Sequence, residues 1–144
     1  MKKLNEIQQK LNVPKSQRNN FGNYNYRSCE DILEAVKPLL GEAQLTIYDE
    51  VVNIGDRYYV KATATLRDEK GVMVNTTAYA REPLAQKGMN EAQITGSASS
   101  YARKYALNGL FAIDDTKDSD TDEYKAQTSK GKEVKNNAPV GEDW

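Results

Sequence analysis

Residues 57–67 read RYYVKATATLR, and this stretch decides the fold. Successive side chains of a β-strand point to opposite faces, so the stretch separates into two sets. The apolar set consists of Tyr58, Val60, Ala62, Ala64 and Leu66. The other set combines cations, hydroxyls and an aromatic ring without an acid, and consists of Arg57, Tyr59, Lys61, Thr63, Thr65 and Arg67. The pattern predicts a strand with one face on a core and the other open to solvent.

Two further strands are predicted beside this one. Residues 45–54 are rich in β-branched and apolar residues, and Gly55-Asp56 joins them to the central strand by a turn. Residues 68–71, DEKG, form a longer hairpin connection into a third strand over residues 72–81. The third strand alternates in the same way, with Val72, Val74, Ala78 and Ala80 on one side and Met73, Asn75, Thr77, Tyr79 and Arg81 on the other. We predict a three-stranded antiparallel meander.

Helical periodicity appears before the predicted sheet. Leu4, Ile7 and Leu11 recur at helical spacing and predict a short amphipathic helix over the first dozen residues, which ends before Pro14. Residues 14–27 are polar and basic; their Gly and Asn residues argue against a helix, and their aromatic rings against a disordered linker. We expect this segment to be an ordered loop.

Two capping patterns predict two more helices. Ser28 with Asp31 three residues later starts a helix over about residues 29–40. Asn90 with Gln93 starts the longest helix, which we expect to end near residue 109. The predicted fold class is therefore α+β, with a β-β-β-α core packed against helices.

The charge is divided unevenly along the chain. Residues 1–113 carry 15 Lys/Arg against 12 Asp/Glu, whereas residues 114–144 carry 5 against 9. A mildly basic body with an acidic appendage is typical of many nucleic-acid-binding proteins, although an ordinary solvated surface also explains it. We predict one domain over residues 1–115 and an acidic, disordered tail over residues 116–144.

The composition excludes most enzyme classes. The chain has no histidine and a single cysteine, Cys29, which leaves no histidine-dependent triad and no Cys/His zinc site. A GxxxxGK[ST] phosphate loop is missing, and the acidic run that begins at Asp118 does not fit a calcium loop. No stretch approaches the roughly 18 consecutive apolar residues of a membrane span. We expect a cytoplasmic protein without a cofactor or metal, which is not an enzyme.

The polar side of the predicted sheet suits single-stranded nucleic acid. Such strands are bound by cations that follow the phosphates and by rings on which bases stack, as Tyr59, Lys61, Tyr79 and Arg81 could provide. The alternative is an ordinary solvated sheet face, which commonly carries Thr, Lys and Arg. Further cations and rings precede and follow the sheet: Tyr24, Tyr26 and Arg27 in the ordered loop, Lys87 in a second loop, and Arg103 and Lys104 on the last helix.

Five blocks of the chain resemble one family. They are FGNYNYRS at 21–28, EDI at 30–32, GDRYYV at 55–60, GMNEAQ at 88–93, and TGSASSYARKYAL at 95–107, which continues through NGLF to Asp114-Asp115. Over residues 4–116 the chain resembles the Erf (essential recombination function) family of phage and prophage recombination proteins.

The resemblance implies a fold related to the eukaryotic Rad-fifty-two annealing proteins, which assemble into rings or helical filaments and hold single-stranded DNA in a basic groove. It implies a homo-oligomer that anneals complementary DNA strands without ATP in the cytoplasm of a bacterial host. Further candidate partners are a single-strand-binding protein and a phage exonuclease. The candidate DNA-binding residues are Tyr24, Tyr26, Arg27, Arg57, Tyr59, Lys61, Arg67, Tyr79, Arg81, Lys87, Arg103 and Lys104.

Two alternatives remain open from the sequence. The same scaffold could serve as a passive single-strand binder or as a protein-interaction module that does not pair strands. A nuclease is a more distant third possibility.

Overall fold

The computed structural model describes residues 1–84 and 88–114 and confirms the α+β class. Its elements are α1 (Lys2–Lys10), β1 (Gln17–Asn19), β2 (Tyr24–Tyr26), α2 (Cys29–Leu40), β3 (Gln44–Ile54), β4 (Arg57–Arg67), β5 (Met73–Arg81) and α3 (Glu91–Phe111). The predicted tail over residues 116–144 and the candidate residue Lys87 lie outside the described residues. The predicted domain boundary at residue 115 therefore stays a prediction.

The predicted meander is confirmed as a three-stranded antiparallel sheet in the order β3-β4-β5. β4 is central, and its Lys61 lies opposite Glu50 on one side and Tyr79 on the other. The third strand starts at Met73, one residue later than predicted. The Asp68 carboxylate explains this difference, because its Oδ1 accepts hydrogen bonds from the backbone N–H groups of Lys70 and Val72, both at 2.9 Å. Val72 thus belongs to the turn.

The core lies between this sheet and the helices, with α3 directly against the sheet. Val60, Ala62, Ala64 and Leu66 on one face of β4 are each at most 1% exposed, as their alternation predicts. α3 packs on β4 and β5, and its buried residues combine three alanines with larger side chains: Ala98, Ala102 and Ala106, with Ile94, Leu107, Asn108, Leu110 and Phe111. Alanine on both sides lets helix and strand approach closely at native packing density. α2 packs against α3, and α1 contacts both helices.

Tyr58 departs from the predicted apolar face of β4. Its side chain is 54% exposed, although strand parity places it on the same side as Val60. Tyr58 lies next to the β3–β4 turn, where its cross-strand partner Asn53 is also exposed. The apolar face therefore ends at Val60.

Capping boxes start α2 and α3 at the predicted residues. At α2, the Ser28 hydroxyl accepts from the Asp31 backbone N–H at 3.1 Å, and the Asp31 carboxylate accepts from the Ser28 N–H at 2.9 Å. Burial acts to raise the pKa of the Asp31 carboxyl. Hydrogen bonds from the Ser28 backbone, from the Gln17 side chain and from the Ser28 hydroxyl outweigh burial and hold that pKa below its usual value. The carboxylate is thus fixed in its charged form.

α3 extends to Phe111 instead of ending near residue 109. Leu110 and Phe111 are each 1% exposed, so continuing the helix buries both side chains. That burial outweighs the poor helix propensity of Gly109. The helix ends at Ala112, which adopts a left-handed conformation with φ of 55°.

The ordered loop predicted over residues 14–27 contains a small β-hairpin that the sequence pattern did not reveal. β1 and β2 pair antiparallel, with Gln17 opposite Tyr26 and Asn19 opposite Tyr24. Strands of three residues are too short to show alternation clearly. The hairpin is nevertheless anchored, because the Gln17 amide donates to the Asp31 carboxylate at 3.3 Å.

The single cysteine faces the core at the start of α2. Cys29 is 5% exposed, and burial, followed by the negative charge of Glu30, raises the pKa of its thiol to about 11. A thiol with so high a pKa is a poor nucleophile near neutral pH.

In the described part of the chain no helix is long and apolar enough to cross a membrane.

The two faces of β4 should respond differently to truncation. Leu66→Ala removes a fully buried side chain from the contact between sheet and helices, so we expect the free energy of unfolding to fall by about 2 to 5 kcal/mol. Arg67→Ala, at an exposed neighbouring position, should change it by less than about 0.5 kcal/mol. Urea unfolding followed by circular dichroism measures both. Equal losses in the two variants would contradict the assignment of faces.

Candidate nucleic-acid interface

The side of the three-stranded sheet that points away from α3 is called the sheet face here. Strand parity and register bring three rows of side chains together on it. β3 contributes Gln44, Thr46, Tyr48, Glu50, Val52 and Ile54; β4 contributes Arg57, Tyr59, Lys61, Thr63, Thr65 and Arg67; β5 contributes Met73, Asn75, Thr77, Tyr79 and Arg81. Six of the predicted site residues thus lie on one surface.

Rings and cations alternate across the central and outer strands of the sheet face. Lys61 is paired with Tyr79, and its Nζ lies 5.9 Å from the centroid of the Tyr79 ring. Tyr59 is paired with Arg81 in the same two strands. Each strand therefore places a cation opposite a ring on its neighbour. This arrangement can offer a stacking surface and a phosphate contact side by side.

Tyr48 belongs to the sheet face but was missed in the sequence analysis. Its side chain is 55% exposed, more than the 46% of Tyr79, and it lies opposite Thr63 of β4. The signal was available, because the alternation of β3 counted from Gln44 places Tyr48 on the polar side.

The sheet face is rich in positive charge. Its cations are Arg57, Lys61, Arg67 and Arg81, and its single acid is Glu50, whose carboxylate lies 3.9 Å from Lys61 Nζ. Arg67 and Arg81 are exposed, and neither forms an ion pair with another residue in the described ranges. The resulting excess of cations favours a polyanionic ligand.

Arg57 is held more firmly than the other cations of the sheet face. Its Nη2 donates to the backbone oxygen of Glu82 at 3.2 Å, which ties β4 to the segment after β5. Its Nε is buried and has no hydrogen-bond partner in the described structure. Arg57 therefore stabilises the end of the sheet and offers less of its charge to a ligand.

Three predicted residues, Tyr24, Tyr26 and Lys104, meet Tyr105 between the β1–β2 hairpin and α3. The rings of Tyr24 and Tyr26 are tilted with centroids 6.1 Å apart. Lys104 Nζ lies 5.7 Å from the centroid of the Tyr26 ring and 5.6 Å from that of Tyr105. Tyr24, Tyr26, Lys104 and Tyr105 are called the hairpin–helix cluster here. It lies on the hairpin and α3, and not on the sheet face.

Two predicted arginines lie near the hairpin and α3 but already make internal contacts. Arg27 is 5% exposed, and its Nε donates to the backbone oxygen of Val13 at 3.0 Å. Arg103 Nε lies 3.0 Å from Asp49 Oδ1, and the Asp49 carboxylate also accepts from the Ser99 hydroxyl. These pairs connect α3 to β3 and brace the loop before α2. Both arginines are thus less accessible to a ligand than Arg67 or Arg81.

No cluster for a metal ion appears in the described ranges. Over residues 1–84 and 88–114, no group of three or more His, Cys, Asp or Glu side chains could hold a metal ion. The sheet face itself offers aromatic rings, hydroxyls and cations, which suit stacking, hydrogen bonding and charge interactions.

Comparison with known proteins agrees with the resemblance seen in the sequence. The family model described as the ERF superfamily matches residues 1–143. The Essential recombination function protein of Salmonella phage P22 is 62% identical over 125 residues, which are 87% of this chain and 60% of that protein. The chain thus spans about 60% of the length of that relative.

The β-β-β-α order implied by the resemblance is present as β3-β4-β5-α3. No solved structure matches the chain, so a relationship to the Rad-fifty-two fold stays a prediction. The match over nearly all of the sequence and the high identity to the phage P22 protein show that the chain belongs to the ERF superfamily.

Proposed function

We propose that this chain is a phage recombination protein that binds single-stranded DNA and anneals complementary strands without ATP. The family and the name of the phage P22 relative, Essential recombination function protein, support a role in recombination. One observation carries the finer proposal: cations and rings are paired across β4 and β5, as in Lys61 with Tyr79 and Tyr59 with Arg81, on a face with one acid.

Such a surface is suited to single strands of any sequence. Stacking uses the π-face that every base possesses, and a phosphate contact carries no sequence information. A duplex hides the faces of its bases, whereas a single strand exposes them. The solvent-exposed rings of Tyr48 and Tyr79 would therefore favour the unpaired form.

Annealing needs no catalytic group. The pairing of complementary strands is thermodynamically downhill, and the protein has to display bases and screen the repulsion between two phosphate backbones. Lys61, Arg67 and Arg81 supply charge for that screening. We propose that the chain acts as a binding protein and not as an enzyme.

Self-association is part of the proposal. In the described structure, the outer edges of β3 and β5 pair with no strand, and an open sheet edge is commonly covered by another chain. A head-to-tail contact between such edges generates a ring or a helical filament.

A single-strand-binding protein or a phage exonuclease in the host cytoplasm is a further proposed partner.

Removal of two cations from the sheet face should weaken DNA binding in a way that depends on salt. For Lys61→Ala combined with Arg81→Ala, we expect lower affinity for an oligothymidylate and a log-log salt slope that is smaller by roughly 0.7 for each lost phosphate contact. Fluorescence anisotropy at several salt concentrations measures both quantities.

The matched control is Lys10→Ala combined with Lys37→Ala. It removes the same charge from exposed positions on α1 and α2. If the control variant loses as much affinity and slope as the sheet-face variant, a general charge effect explains the binding and the sheet face has no special role.

Annealing should proceed without nucleotide and in the presence of EDTA. Two complementary oligonucleotides, one with a fluorophore and one with a quencher, should pair faster with the protein than alone, and ATP should not change the rate. Binding without acceleration would point to the passive binder. Magnesium-dependent shortening of the labelled strands would point to a nuclease.

Light scattering at micromolar concentration, with an oligothymidylate present, should give a mass that is a multiple of the 16.2 kDa chain. We expect this result because sheet edges left open in one copy can be covered by the next. A particle of monomer mass under these conditions would contradict a ring or filament.

A further inference from the structure

The tip of the β1–β2 hairpin displays an aromatic side chain with no internal packing. Phe21 is 102% exposed, the highest value among the large hydrophobic side chains of the described structure. It lies between β1 and β2, whereas the phenylalanine of α3, Phe111, is 1% exposed. In the free protein, a fully exposed phenyl ring leaves all of its apolar surface in contact with water, which is unfavourable.

The turn that carries Phe21 is defined by specific contacts. The Asn19 side chain accepts from the Gly22 backbone N–H at 2.9 Å and donates to the Tyr24 hydroxyl at 3.0 Å. A Cβ at Gly22 would lie 2.4 Å from the Tyr24 ring, so any larger residue there would require that ring to move. Asn23 adopts a positive φ of 59°, which asparagine tolerates well. These contacts fix the position from which Phe21 projects.

Arg18 braces the same turn and adds a positive charge to the hairpin. Its Nη1 donates to Asn25 Oδ1 at 3.0 Å, and its Nη2 contacts the Asn23 side chain. The root of the hairpin is held on α2 by Gln17 and on α3 by the contact between Lys104 and Tyr26. Phe21 is therefore presented from the helices, separately from the sheet face.

The composition around Phe21 indicates what kind of partner the ring meets. Residues 15–26 contain Lys15 and Arg18 and no acidic residue, and most of the other polar residues are asparagines. Amides can hydrogen-bond to base edges, and cations can contact phosphates. A flat apolar ring with such neighbours is suited to a base in a polyanionic strand.

We propose that Phe21 stacks on an unpaired base of single-stranded DNA and forms a contact in addition to the sheet face. This inference rests on the proposed function. It adds an intercalating or capping ring at a fixed point of the protomer, so that one base of the bound strand is held by the hairpin tip.

The test uses tryptophan as a reporter in the full chain. Trp144 is the single tryptophan, so Phe21→Trp combined with Trp144→Phe leaves one indole, at the hairpin tip. Titration with an oligothymidylate should quench its fluorescence, with the same midpoint that fluorescence anisotropy of a labelled oligothymidylate gives for binding. The control is Gln9→Trp combined with Trp144→Phe, which places an indole at an exposed, uncharged position of α1 and should be quenched much less.

Affinity provides a second readout. Loss of one stacked base corresponds to roughly a five-fold to hundred-fold weaker Kd. Phe21→Ala and Phe21→Leu should both show this loss, because leucine keeps the apolar character but cannot stack, and Phe21→Tyr should retain the affinity of the natural chain.

Three results would overturn the proposal. The first is an unquenched indole at position 21 while anisotropy reports binding. The second is a blue-shifted emission that depends on protein concentration without DNA, which would assign Phe21 to a contact between two copies of the chain. The third is full affinity in Phe21→Ala. If instead the natural chain binds no single-stranded DNA at all, the proposed function itself fails, together with this inference.

Discussion

The close packing of α3 on β4 is the interaction on which the rest of the structure depends. Alanine side chains line this contact on both sides, with Ala62 and Ala64 on the strand and Ala102 and Ala106 on the helix, all completely buried. Small side chains allow a short distance between helix and sheet, and larger ones would push the two layers apart. Once this face is committed to the core, alternation assigns every second residue of β4 to the opposite side. The residues available on the sheet face are thus a consequence of how the opposite face of the sheet packs against α3.

Much of this arrangement could be predicted from the sequence, because alternation and capping are local signals. Val60 and Leu66 are buried and Arg67 is exposed as the period of two requires, and Ser28 and Asn90 cap the helices that their patterns indicate. These features depend on residues that are close in sequence. They can therefore be predicted without knowledge of any tertiary contact.

Other features depend on contacts between distant segments and could not be predicted in this way. α3 runs past Gly109 because the core accepts Phe111. The Arg103 side chain is already paired, because its Nε lies 3.0 Å from Oδ1 of Asp49, which is 54 positions earlier in the chain. The hairpin of residues 17–26 is held by Gln17 on the capping carboxylate of α2, a contact that no local pattern of three-residue strands indicates. Sequence alone therefore indicated the types of residue on the sheet face but could not say which cations were already paired.

The central claim is that single-stranded DNA lies on the sheet face, and photo-crosslinking tests it most directly. An oligonucleotide that carries 5-iodouridine at successive positions would be irradiated in complex with the full chain, and the modified peptides identified by mass spectrometry. The account predicts adducts on the exposed rings of Tyr48 and Tyr79 and on their neighbour Tyr59. Adducts confined to tyrosines of the helices and the hairpin, with none on these three residues, would contradict it.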